Sequence, residues 1–131
     1  SWIMTEDVIK IVKRLLPRAV AKKLPSKIKV VSISLRESRI LNKRYRKKNN
    51  PSNVLSFRYN KDYGEILVCS EVVRREAKEQ GNTYKYQMTW MILHGMLHLA
   101  GMHHEKSKSS AKQTAKLEKT VLFKLFPSQK Y

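Results

Sequence analysis

Apolar residues recur at helical spacing near the start of the chain. Val8, Ile11, Val12, Leu15 and Leu16 share one face at 3.6 residues per turn. Thr5 is the expected N-cap, with Glu6 and Asp7 in a first turn where the helix dipole favours acids. Pro17 ends or kinks this helix, and Arg18 to Leu24 resumes it as far as Pro25-Ser26. From Lys27 to Leu35 the pattern becomes Ile- and Val-rich and predicts a strand. Glu37 to Lys48 is helical again, with Ile40, Leu41 and Tyr45 as its apolar side. Asn49-Asn50-Pro51-Ser52 is a turn signal. A short strand at Val54 to Phe57, a hairpin-like loop at Asn60 to Gly64 and a strand at Glu65 to Cys69 follow. Ser70 is the expected cap of a helix through Gln80, with Gly81 just past its end. Tyr84 to Ala100 is rich in Met, Trp, Ile and Leu, which predicts a buried helix. A Lys- and Ser-rich link, Lys106 to Ser110, precedes a last helix from Ala111 to Phe126. That helix packs through Leu117, Val121, Leu122 and Leu125, and Pro127 ends it.

This order predicts an α+β class: a single domain over residues 1–131, with a small mixed β-sheet packed by about five helices. A chain of 131 residues suits one core and no second comfortable one.

Charge changes the picture more than length does. The formal net charge is +18, from 28 Lys and Arg against 10 Asp and Glu. It is uneven: residues 1–60 carry 16 basic and 3 acidic side chains, residues 61–104 carry 5 and 5, and residues 105–131 carry 7 and 2. Basic flanks around a neutral middle imply a polyanionic partner, nucleic acid before membrane. Cys69 is the only cysteine, so no intrachain disulfide forms, which suits a reducing, cytoplasmic setting. No apolar run is long enough to span a membrane, and no secretory signal is read at the start.

The candidate chemistry lies in the neutral middle. All four histidines fall between His94 and His104. His94 and His98, four apart on the buried helix, share one face and can reach one metal ion. Gly101 can take positive φ and end the helix, after which His103 or His104 can return to the same ion. Three nitrogens with one open position is the coordination of a catalytic zinc site. The spacing also fits the H-E-x-x-H-x-x-G-x-x-H pattern of a zinc peptidase, except that the position of its catalytic glutamate is Gly95. Glycine has no side chain to move a proton.

Three separated segments resemble the YbeY family of endoribonucleases. His94-Gly95-Met96-Leu97-His98-Leu99-Ala100-Gly101 with His104 is similar to the family's H-G-x-L-H-L-x-G-x-x-H signature. Asn53-Val54-Leu55-Ser56-Phe57, preceded by Asn42, Tyr45 and Arg46, and Gly64-Glu65-Ile66-Leu67-Val68-Cys69 look like two further family motifs, in the same order. The resemblance covers roughly residues 36–105. It implies one zinc ion per chain on His94, His98 and His104, with Arg46 as the functional arginine. Arg44, Lys47, Lys48 and Ser56 accompany them as candidates for substrate contact. Two features depart from the family: Met102 and His103 stand where members often have an aromatic residue and Asp, and only Ser1 to Met4 could supply an opening strand.

The implied function is a metal-dependent, single-strand-type endoribonuclease of ribosomal RNA maturation and ribosome quality control, with ribosomal RNA and the small ribosomal subunit as partners. A zinc-bound water, or a ribose 2′-hydroxyl in its place, would attack the phosphodiester, and Arg46 would stabilise the charge that develops. The competing readings are a zinc peptidase and a non-catalytic RNA- or ribosome-binding protein with a structural metal.

Overall fold

The computed structural model describes residues 5–102 and 107–129, without the side chain of Thr5. The elements run α1 (Thr5–Leu15), α2 (Arg18–Ala21), β1 (Lys27–Ile33), α3 (Leu35–Arg46), β2 (Val54–Arg58), β3 (Tyr63–Cys69), α4 (Ser70–Gln80), α5 (Tyr84–Leu99) and α6 (Lys108–Leu125). This is the expected α+β order, with six helices among the described residues because Pro17 divides the first into two. The opening strand that Ser1 to Met4 could supply lies outside the described residues. The three strands form a mixed sheet in the order β1-β3-β2. β1 runs parallel to β3, from Lys27 opposite Tyr63 to Ile33 opposite Cys69. β2 is antiparallel to β3, with Val54 opposite Val68 and Arg58 opposite Gly64. β2 therefore forms one edge of this sheet.

The core gathers around α5. Met91, Ile92, Leu93, Met96, Leu97 and Leu99 are buried, with Val8 and Val12 of α1, Ile66 and Val68 of β3 and Val121 and Leu122 of α6 packed around them. α5 approaches the sheet at Gly95. A Cβ there would lie 2.8 Å from Ile66 Cγ2 and 3.0 Å from Ser56 Oγ, so only glycine fits without displacement. The helix ends as its glycine predicts: Gly101 has φ +86°, its N–H bonds to His98 O, and Met102 N–H bonds to Leu97 O. That pair of bonds is the Schellman arrangement. Arg58 adds a side-chain donor, 2.7 Å from Leu99 O, which satisfies one of the carbonyls left over at the helix end.

Several boundaries depart from expectation. α3 starts at Leu35, two residues before the expected Glu37, because Ser34 and Glu37 form a capping box. The Glu37 carboxyl is held below the ordinary carboxylate range, first by the Ser34 backbone N–H and then by the Ser34 hydroxyl. Ser70 is not the cap of α4. The helix leaves β3 without a loop, so Cys69 occupies the cap position and the Ser70 hydroxyl lies 3.3 Å from that of Ser32. Gly64 belongs to β3, not to the preceding loop, and faces Leu99 and Pro25. α6 begins at Lys108, three residues early, with Ser107 accepting from Ser110 N–H as its cap.

The largest correction concerns α3. Its expected apolar side does not pack into the core: Ile40 is 46% exposed and Tyr45 59% exposed. The buried residues of this helix are Ser38 and Asn42. Ser38 Oγ donates to Ser52 O at 2.7 Å and accepts from Ser52 N–H, while Asn42 Nδ2 donates to Asn50 O at 2.8 Å. Polar side chains thus tie α3 to the chain that enters β2. Lys47, with φ 58°, turns the backbone out of the helix immediately after Arg46.

Candidate metal centre and cleft

A cavity of about 530 Å³ follows the β2 edge. Residues 54 to 57 of β2 line it, with His94 and His98 from α5 on one side and Tyr45 and Arg46 from the end of α3 on another. Strand alternation explains how one cleft receives both helices. Ser56 points to the α5 side, where its hydroxyl donates to Gly95 O at 3.3 Å. Phe57 points to the other side, where its ring meets that of Tyr45.

The His94 and His98 rings lie 5.1 Å apart, centroid to centroid, and are tilted by 44°. Two imidazoles held at about 2.0–2.1 Å from one tetrahedral ion would place their centroids about 5 Å apart, so the pair fits a shared metal. His94 Nδ1 is 2.6 Å from Glu118 Oε2. An ionised carboxylate only accepts, so this bond puts the proton on Nδ1 and the ring's lone pair on Nε2. Glu118 is 7% exposed, and its other oxygen accepts from Trp90 Nε1 at 3.1 Å. Both carboxylate oxygens are engaged, which is how a buried carboxylate is tolerated. A carboxylate behind a histidine is the usual means of orienting a metal ligand.

The structure thus brings four of the expected site residues to one cleft: Arg46, Ser56, His94 and His98. His104 and His103 lie outside the described residues. Among the described residues no set of three His, Cys, Asp or Glu is placed to hold an ion. Arg44, Lys47 and Lys48 are exposed beside the cleft and do not line it. Glu118 is the site residue that sequence reading missed. The signal was present, since Thr114, Glu118, Val121 and Leu122 share the buried stripe of α6 and Glu118 is the one acid in that helix.

The position of Gly95 bears on the peptidase reading. In H-E-x-x-H chemistry this residue must present a carboxylate, as general base, to the water at the metal. Here it faces Ile66 and Ser56 of the sheet. The histidine frame is therefore mounted with its second position sealed against β2 and β3.

The family model described as Endoribonuclease YbeY matches residues 2–125. A protein named Endoribonuclease YbeY from a Chelativorans species is 35% identical, over 89% of this chain and 79% of its own length. Its namesake from Thermotoga neapolitana is 33% identical, over 82% of this chain and 74% of its own length. The solution structure of a Thermotoga maritima protein matches with a TM-score of 0.60 at 28% identity, over 96% of this chain and 88% of that one.

Proposed function

The chain belongs to the YbeY endoribonuclease family, and on that basis we propose that it cleaves RNA phosphodiesters in the cleft along β2, in the processing of ribosomal RNA on the small ribosomal subunit. The observation that carries the reading is the shared cleft: a histidine pair, with His94 held by the Glu118 carboxylate, and an arginine line one cavity along a strand edge. His94, His98 and His104 would hold one zinc ion. The chemistry that such an ion supplies when bound is polarisation of a phosphoryl oxygen and a lowered pKa for water at its open position.

The chain's own residues do the rest. Glu118 keeps the proton of His94 on Nδ1 and holds the ring's orientation. Arg46 offers a guanidinium that fits two phosphate oxygens, where negative charge accumulates as the bond breaks. Arg44, Lys47, Lys48 and Ser56 are the proposed substrate contacts. The three cations would act on the RNA backbone flanking the cleft, consistent with their exposed positions beside it. A cytoplasmic setting accords with the buried, unbridged Cys69.

The test is to incubate the purified protein with ribosomal RNA and with casein, with and without a chelator. RNA cleavage that the chelator stops, with casein left whole, is the expected result. Casein cleavage or intact RNA would overturn the reading.

A further inference from the structure

Tyr45 is an exposed aromatic residue at this site. Its hydroxyl has no hydrogen-bond partner among the described residues, whereas the hydroxyls of Tyr59 and Tyr63 both donate to Glu65. It is 59% exposed, yet it lines the cavity that holds His94 and His98. Phe57 meets it in a T-shaped contact at 5.2 Å and 69°, which supports the ring while leaving most of the side chain to solvent. The backbone beneath it is held by the Ser38 and Asn42 hydrogen bonds and by the turn at Lys47.

We propose that Tyr45, braced by Phe57, is a nucleobase-stacking platform for the nucleotide next to the phosphate bound in the cleft. The inference rests on the nuclease reading above and deepens it by assigning a base subsite. Charge complementarity selects the occupant. Tyr45 is followed by Arg46, Lys47 and Lys48 and preceded by Lys43 and Arg44. An aromatic face set among guanidinium and ammonium groups matches a ligand with alternating bases and phosphates. A base bound there must leave its neighbours' stack, so the platform takes an unpaired nucleotide.

The test is stopped-flow fluorescence with the protein as purified and a short single-stranded RNA carrying 2-aminopurine at successive positions. One position should be strongly quenched in the binding phase. Tyr45→Ala should abolish that quench and weaken binding about 5- to 150-fold, the effect of one lost base–aromatic stack. Tyr45→Leu keeps an apolar side chain over Phe57 without a stacking face, so it should bind RNA as weakly while melting with the parent. Tyr45→Trp should retain both quench and affinity. An abasic nucleotide at the quenched position should remove the difference between parent and Tyr45→Leu. Parent-like quench and affinity in Tyr45→Leu, or an equal loss on the abasic RNA, would overturn the platform. If the parent quenches the base but leaves the RNA intact after long incubation, the platform stands and the nuclease reading falls. If the parent does not bind the RNA, both fall.

Discussion

α5 and α3 supply opposite walls of the same cleft by opposite means. α5 is apolar around most of its circumference and is held by burial, with Gly95 letting it sit against the sheet. α3 is basic, buries only Ser38 and Asn42, and is held by hydrogen bonds to residues 50 and 52. The difference follows the chemistry proposed for each wall. Histidines that share an ion must stay within a few tenths of an ångström of their geometry, which a packed helix provides. Cations and aromatics that meet a polyanion must be exposed, so their helix cannot be anchored by the same face that does the work.

The α5 wall is most vulnerable at Gly95. Gly95→Glu forces a side chain into Ile66 and Ser56 and buries a charge in an apolar interface. A buried unpaired charge costs several kcal/mol against a total stability of about 5–15 kcal/mol. Circular dichroism should show no cooperative thermal transition for this variant.

Arg46→Ala tests the opposite wall. It should leave the melting temperature nearly unchanged, since exposed substitutions shift stability by no more than about 0.5 kcal/mol. RNA cleavage at saturating substrate should fall about 10²- to 10³-fold, the usual effect of removing one charge stabiliser of a transition state. Arg46→Lys should recover only part of this, because an ammonium lacks the planar fork. A parent-like rate in Arg46→Ala would move Arg46 from the mechanism to the binding ridge.

Glu118→Gln sharpens the α5 side. Loss of the charge behind His94 should weaken zinc affinity about 10- to 100-fold, read by competition with a chromogenic chelator. His98→Ala should remove the metal altogether by elemental analysis. Retention of zinc in His98→Ala would exclude the shared site.

The smallest effect is expected where α3 is tied down. Asn42→Ala removes the donor to Asn50 O, and its cost should be about 1–3 kcal/mol in urea unfolding. Asn42 Oδ1 has no partner among the described residues, which places the cost towards the low end. The same variant should slow RNA cleavage modestly by loosening the base of Tyr45 and Arg46, while zinc content stays at the parent level.

Local patterns were legible in the sequence because their causes are local. Ile- and Val-rich runs and helical spacing placed the strands and helices, and Gly101 marked the end of α5 because positive φ is favourable there without a Cβ. The four-residue step from His94 to His98 likewise implied two rings on one face. The Ser34–Glu37 capping box was also written in the chain, but the apolar run through Leu35 outweighed it. Other features depend on what stands opposite a residue, which no local pattern contains. Gly95 is required by Ile66 and Ser56, from two different strands. Glu118 reaches His94 across 24 positions because α6 packs on α5. Tyr45 has the spacing of a core residue and remains exposed because hydrogen bonds from Ser38 and Asn42 hold the buried side of α3. The elements and the pair of rings follow from local patterns in the chain, whereas which side chains face the core, the cleft or solvent follows from packing, because burial is set by neighbours distant in the chain.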